Sequence, residues 1–319
     1  MLQSRLVAGT LALGLISSGA GVVCAQDYPN KTIRIITGSA GGGSDFNART
    51  IAQGISGPLG QPVIVENRVS LSLGEVGSKA PPDGYLLTVQ GGSLWVVTLL
   101  QKMPYDVIRD FSPITLISRD VNIVAVHPSV PVKSVKELIA LAKARPGALN
   151  YGSGNPGSPS HLAGELFKSM AGVDIVHVAY KGVAPAITAL LTGEVQLTIL
   201  DSALVEPHTK SGRLRALAVT SAEASALTPG LSTVSATGLP GYEMVGLAGV
   251  WAPAKTPAAI INRLNQAIVR FLNEPSVKER FLNAGAEVVA SSPEQFGAFI
   301  KADISRMSKV IKDAGIKIN

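Results

Sequence analysis

The sequence predicts an α/β fold divided into two lobes, and three observations lead there. Short β-branched runs alternate with amphipathic helical patterns along most of the chain, which is the signature of strand–helix units feeding parallel sheets covered on both faces. Glycine and small polar loops follow several of the predicted strands. The length, 319 residues, leaves room for one large or two medium domains with real cores, and the number of elements favours two. With 46% hydrophobic residues and few aromatics, the chain is globular rather than disordered.

The first unit sets the pattern. Ile33, Ile35 and Ile36 form a β-branched run that predicts a strand. It stops in a loop of small residues, Gly38, Ser39, Ala40 and Gly41-Gly42-Gly43. A helix follows, with Ala48, Ile51, Ala52, Ile55 and Leu59 recurring at helical spacing and Ser44 or Asp45 suited to its N-cap. A glycine loop between a strand and a helix start exposes backbone N–H groups at the positive end of the helix dipole, a place that suits an anion. A tight turn with a cap and no ligand would leave the same pattern.

Pro58 and Gly60 end that helix, and Pro62–Glu66 reads as a second strand. Asn67–Pro82 is loop-like with a weak helical segment. Tyr85–Val89 is a strand ending at Gly91-Gly92-Ser93, and Leu94–Leu100 an apolar helix. Ile114–Ile117 and Asn122–Val126 read as two strands. Ser134 opens a capping-box-like helix through Leu138, Leu141 and Ala142 that stops at Arg145-Pro146-Gly147. Leu149–Ser153 is a strand feeding Gly154–Pro159, where Ser158 fits an N-cap and Pro159 the first helical position. A helix bearing Leu162, Leu166, Phe167 and Met170 follows. Ile175–Val178 is a strand, Tyr180-Lys181-Gly182 a loop, and Pro185 opens a helix through Ile187, Leu190 and Leu191. Glu194–Leu200 is a strand ending at Asp201, and Leu214–Thr220 another. Ser221–Gly241 is a long loop. Met244–Trp251 returns to strand, and helices near Pro257–Leu272, Ser276–Ala284 and Pro293–Lys312 finish the chain.

The N-terminus reads as a targeting segment, with a positive Met1–Arg5, an apolar Leu6–Val23 and a cleavage site after Ala25. Acylation at Cys24 is the weaker alternative, because Gly21-Val22-Val23 is a poor lipobox. Ordinary secretion removes the single cysteine, and with it any disulfide, thiol nucleophile or thiolate ligand. No later stretch is long and apolar enough to span a membrane. The formal charge of +6 comes from scattered Lys and Arg, whereas nucleic-acid binding needs a clustered stripe.

Most catalytic signatures are missing. Gly38–Gly43 has the glycine spacing of a phosphate-binding loop, but Ser44-Asp45 stand where Lys and Ser/Thr are required, and Phe46 occupies the last glycine of a dinucleotide fingerprint. Neither a G-x-S-x-G elbow nor H-E-x-x-H occurs. The histidines, His127, His161, His177 and His208, are dispersed, and His177 alternates with apolar neighbours as a packed core residue would. A secreted hydrolase would have to combine Ser39, Ser93 or Ser153 with His161, without an evident Asp partner.

The chain does offer donor-rich loops at strand ends: Ser39, Gly42, Gly43, Ser44 and Asp45; Ser93; Ser153, Gly154 and Ser158; Tyr180, Lys181 and Gly182; and Asp201. In parallel α/β sheets such loops gather at the carboxyl edge, where ligands bind. Many N–H and hydroxyl donors with few formal charges suit a carboxylate held by neutral hydrogen bonds and helix dipoles. Each residue also has a plainer reading: Asp45 and Ser158 as caps, Lys181 as a solvated side chain, Asp201 as a turn former.

Several stretches recur in order: Y-P-N-K-T-I-R-I-I (Tyr28–Ile36), A-G-G-G-S-D (Ala40–Asp45), L-G-Q-P-V-I-V-E-N-R (Leu59–Arg68), P-D-G-Y (Pro82–Tyr85), P-Y-D (Pro104–Asp106), G-S-x-x-H-L-A-G-E (Gly157–Glu165), Y-K-G (Tyr180–Gly182), L-R-A-L-A-V-T-S (Leu214–Ser221) and G-L-P-G-Y-E (Gly238–Glu243). The set resembles the Bug receptors (the Bordetella uptake gene family), periplasmic solute-binding proteins linked to tripartite tricarboxylate transporters. The resemblance implies a non-enzymatic, monomeric receptor without a cofactor, in the two-lobed type II flytrap fold of periplasmic binding proteins. After a signal peptide (1–25), lobe 1 would comprise 26–124 and 245–319, and lobe 2 would comprise 125–244. The crossings would fall near Asn122–Val126 and Met244–Trp251. Gly41–Asp45 would grip a ligand carboxylate against Ser153–Ser158 and Tyr180–Gly182, partly through ordered water. Implied ligands are small di- or tricarboxylates or aromatic acids, and implied partners are membrane permease subunits or a sensor kinase. This chain departs from the family pattern at Val69–Leu73, at Thr37-Gly38 and at Ser93-Leu94-Trp95-Val96-Val97. The last is more apolar than usual, which leads to the expectation of a ligand more apolar than aspartate or citrate.

Overall fold

A computed structural model describes residues 28–38, 40–68, 70–313 and 315–316. The expected targeting segment with Cys24, and Ser39, lie outside the described residues. In chain order the elements are β1 (Ile33–Thr37), α1 (Gly43–Leu59), β2 (Val63–Asn67), α2 (Ser70–Ser78), β3 (Leu86–Gly91), α3 (Ser93–Leu100), α4 (Val107–Asp110), β4 (Phe111–Val126), α5 (Val135–Ala144), β5 (Asn150–Ser153) and α6 (Pro159–Ala171). There follow β6 (Val176–Ala179), α7 (Val183–Thr192), β7 (Leu197–Asp201), α8 (Ser202–Lys210), β8 (Arg215–Val219), α9 (Val234–Thr237), β9 (Val245–Pro253), α10 (Ala258–Leu272), α11 (Pro275–Asn283), β10 (Glu287–Val288) and α12 (Pro293–Asp313).

The strands run in the order β2-β1-β3-β9-β4-β7-β5-β6, with β8 and β10 also paired to β4. The sheet is mixed. The strand–helix units give the parallel pairs, β1 with β2 and β3, and β5 with β6 and β7. All pairings of β4 and β9 are antiparallel. The segments Ile114–Ile117 and Asn122–Val126, expected as two strands, belong to one. The polar Ser118-Arg119-Asp120 between them hides the continuity, because Arg119 pairs with Glu287 from β10 instead of ending the strand. Residues up to Val121 pair with β9 in one half of the molecule. From Asn122 onward β4 pairs with β7 and β8 in the other half.

Asn122 knits this junction. Its backbone N–H donates to Thr220 Oγ1, and its side-chain amide donates to the Met244 carbonyl. The Met244 N–H in turn donates to the Thr220 carbonyl, just before β9 returns to the first half with Val245 opposite Val121. Each half has its own core. Ile33, Ile51, Ile55, Leu264, Ile268 and Phe281 anchor the first, and Leu138, Leu162, Phe167, Leu197 and Tyr242 the second. Each such side chain contributes about 1.5–3 kcal/mol on burial. The last helix belongs to both halves. Phe296 and Ile300 of α12 pack with Trp95 and Trp251, whereas Met307, Val310 and Ile311 join the second core.

Helix α8 was hidden in the sequence by Pro207, which lies inside it. Its N-cap is Asp201, whose side chain accepts from the Ala203 N–H.

Candidate functional site

The first helix begins differently from its expected capping. Gly42 occupies the N-cap of α1 and makes no side-chain bond. Asp45, only 5% exposed, works from inside the first turn. Its carboxylate accepts the Gly41 N–H at 2.9 Å and the Asn67 side-chain amide at 2.7 Å, and pairs with Arg49 at 3.0 Å. The Arg49 contact, reinforced by those amide donors against the penalty of burial, holds its pKa down at about 2. Gly41, at φ 78°, takes a left-handed conformation that glycine adopts without strain. Asp45 thus braces the glycine loop from behind and does not line the cleft in front of it.

In front of that loop lies a cleft of about 700 Å³. Three helix starts supply residues to it: Gly43 and Ser44 of α1, Gly92 and Ser93 at α3, and Ser158 and Pro159 at α6. The starts of α1 and α3 carry backbone N–H groups that lack helical partners, at the positive end of each dipole. Helix α6 adds the positive end of its dipole, but its first residue, Pro159, has no N–H and the Ser158 hydroxyl accepts the His161 N–H. Ser44 Oγ donates to Gln90 Oε1 at 2.8 Å, and the Gly91 N–H donates to the same oxygen. That tie fixes the α1 and α3 starts side by side. Asn155, Pro156 and Gly157 line the opposite jaw. The walls are apolar, formed by Val96, Val97, Leu100, Leu162, Met244 and Met307. Among the described residues no Lys, Arg or His lines the cleft, and its ionisable carboxyls are Asp120 and Asp303.

Of the residues singled out in the sequence, Gly43, Ser44, Ser93 and Ser158 line the cleft. Ser39 lies outside the described residues, and Gly42, Asp45, Ser153, Gly154, Tyr180, Lys181, Gly182 and Asp201 do not line it. Ser153 is fully buried, with its hydroxyl 2.7 Å from His177 Nε2, so no substrate can reach it as a nucleophile and its partner is not His161. The Gly154 N–H donates to Ser160 Oγ. Tyr180 donates its hydroxyl to Glu194, Lys181 is exposed, and Gly182, at φ 107°, is the N-cap of α7. Trp95 is core rather than cleft wall. It is fully buried, and its indole N–H donates to Asp303 Oδ2 at 2.7 Å. Its neighbours Val96 and Val97 supply the apolar surface.

Asp120, Asn47, Gln90, Met244 and Met307 were missed. Asp120 lies in the polar Ser118-Arg119-Asp120 break that separates the two expected strands, so no local pattern marks it. A Cβ at Gly246 would overlap its carboxyl group, so glycine opposite it makes the space. Burial and the neighbouring Asp201 carboxylate push Asp120 up to about 7, and burial raises Asp201 as well. The Asp201 side chain therefore serves as cap of α8 and as hydrogen-bond partner of Asp120.

Comparison with known proteins matches this architecture. The tripartite tricarboxylate transporter family receptor (TctC) pattern covers residues 47–316. Protein BugT of Bordetella pertussis is 34% identical over the full length of both chains. Among solved structures, R. palustris Rpa4515 with adipate superimposes with a TM-score of 0.73 at 36% identity, covering 91% of this chain and 99% of its own. MatC of Rhodopseudomonas palustris with bound malate gives 0.70 at 27% identity, over 89% and 100%. With the mixed sheet crossed by β4, the cleft at three helix starts and the pattern running through both halves, the chain belongs to the tripartite tricarboxylate transporter receptor family, TctC, and to its Bug-type periplasmic-binding-protein fold.

Proposed function

We propose that this chain is an exported, periplasmic receptor that captures a small organic carboxylate between its two lobes and presents it for uptake or sensing. One observation carries the reading: three helix starts open on a single cleft that, among the described residues, is lined by no basic side chain. Such a site holds a carboxylate by oriented N–H and hydroxyl donors, with specificity set by shape. Relatives of the same fold hold adipate and malate, which supports the ligand class. The apolar wall from Val96 to Leu100, with Leu162, Met244 and Met307, favours a ligand with a hydrocarbon or aromatic body. Lobe 1 comprises 26–124 and 245–319 and lobe 2 comprises 125–244, with α12 strapped across both.

The chain acts as a monomeric binder rather than an enzyme, and its macromolecular partner is a permease subunit of a tripartite carrier or a sensor kinase. Closure on the ligand creates the surface such a partner would read. Isothermal titration of the purified chain against malate, citrate, adipate, longer diacids and benzoate-like acids tests the ligand class. Micromolar or tighter binding, about −8 kcal/mol or better, is expected for adipate-sized or aromatic acids. Absence of binding across the whole panel overturns the reading.

A further inference from the structure

Behind the second jaw, away from the cleft surface, three rings are stacked. His161 of α6 lies on His177 of β6 with centroids 4.1 Å apart and planes 12° from parallel, and His177 lies on Tyr151 of β5 at 4.8 Å and 24°. Each ring has its polar atom engaged. The Tyr151 hydroxyl donates to Glu165 Oε1 at 2.6 Å, and His177 Nε2 is 2.7 Å from Ser153 Oγ. His161 Nδ1 accepts the backbone N–H of Gly157 at 2.9 Å.

That last bond reaches the ligand site without touching it. Gly157 turns at φ 78° and lies in the cleft lining, flanked by Asn155, Pro156 and Ser158. An imidazole nitrogen accepts a hydrogen bond only when it carries no proton, so the bond requires neutral His161 with its proton on Nε2. Burial favours that neutral form. With the Gly157 N–H directed inward, the peptide planes that follow it have one orientation. The Asn155–Ser158 turn that lines the cleft is thereby held in one conformation.

We propose that His161 is a positioning residue: through Gly157 it sets the shape of the Asn155–Ser158 loop before ligand arrives. The inference rests on the reading that this cleft takes a carboxylate. Pre-setting the loop avoids an ordering cost on binding, and the His177–Tyr151 stack keeps the imidazole from rotating away. Ser153, tied to His177, holds the base of the same loop.

Two substitutions separate the acceptor from the ring. His161→Phe keeps the stack and removes the acceptor, while His161→Asn keeps an oxygen near the Nδ1 position and removes the stack. Hydrogen exchange of the Gly157 amide, read by NMR on ligand-free protein, should accelerate about tenfold or more in the Phe variant and little in the Asn variant. Affinity for adipate, the probe, should fall about tenfold in the Phe variant and be largely restored in the Asn variant. Nitrogen NMR of the unmodified protein should show His161 protonated at Nε2, an observation independent of whether either variant folds. An Nδ1–H tautomer, unchanged Gly157 exchange in a folded Phe variant, or equal losses in both variants overturns the proposal. Failure of the unmodified protein to bind any carboxylate overturns the function proposed above instead, and the exchange and tautomer results still decide the role of His161.

Discussion

Asp120 on β4 shares a side-chain hydrogen bond with Asp201 at the end of β7, beside the point where the chain passes from one half of the molecule to the other, and of the two only Asp120 lines the cleft. Two carboxyls in one buried place cannot both ionise easily, so the pair retains a proton near neutrality. Burial and Asp201 raise Asp120 to about 7 from its ordinary 3.8. The cleft proposed to take a carboxylate thus contains an acid whose charge depends on pH.

Asp120→Asn should therefore tighten the binding of dicarboxylates at neutral pH by several-fold, since a neutral amide replaces a partly ionised acid. The sign of the pH effect follows from the raised pKa. The folded state keeps the proton that the unfolded chain loses near 3.8, so the pair's contribution to stability is complete below about 4 and is lost as pH rises through about 7. Affinity for an anion should weaken over the upper part of the same window, as Asp120 ionises. Titrations at pH 6 and pH 8 check this, and the Asn variant should be nearly flat between them.

Asp45→Ala should cost about 1–3 kcal/mol of stability, because the Gly41 N–H, the Asn67 amide and Arg49 lose their common acceptor. Affinity should drop with it, as the loop that presents Gly43 and Ser44 is no longer braced. Because its pKa is lowered to about 2, the stabilisation is full above 3.8 and lost as pH falls toward 2. Thermal denaturation of both proteins at pH 7 and pH 2.5 measures it. The gap between them should shrink at the lower pH.

The same residues show what could be read in advance. The β1 loop with α1, the Ser158 cap and Pro159 start, and the βα alternation were legible because caps, glycines and spacing are local signals. Asp45 was legible as important, but whether it faces ligand or scaffold depends on Asn67 and Arg49, which only the fold brings to it. Asp120, Met244 and Met307 come from a crossing strand, its return and the last helix, and no local pattern places those three around one cavity. The continuity of β4 is hidden for the same reason. The polar residues that interrupt its pattern find partners in β10 and β7, far away in sequence.

Val97→Asn tests the apolar wall directly. Val97 lines the cleft from α3 and is only partly buried, so an amide there should leave the thermal midpoint within a few degrees, equivalent to about 1 kcal/mol or less. Binding of adipate-length or aromatic acids should weaken by about 1 kcal/mol or more, the transfer energy of one lost hydrocarbon contact. Malate, with little hydrocarbon to bury, should lose less. An equal loss for both ligands would mean the wall does not select ligand body.

Acid should act on the ring stack as well as on the carboxyls. Burial lowers His177 from 6.5 to about 4, and the adjoining His161 ring adds to the effect. A lowered histidine pKa means that the unfolded chain takes up a proton which the folded one refuses. Its contribution to stability is therefore constant above about 6.5 and falls as pH drops from 6.5 toward 4, with a slope of up to one proton per molecule. Below 4 both states are protonated and the slope from this group ends. Replacing His177 by Gln, whose amide can still meet Ser153 Oγ, should remove that slope while leaving the high-pH stability lower by the lost stacking on Tyr151 and His161. Denaturant titrations at half-unit intervals from pH 4 to pH 7.5 resolve the difference. A slope that persists unchanged in the Gln variant would assign it to another group.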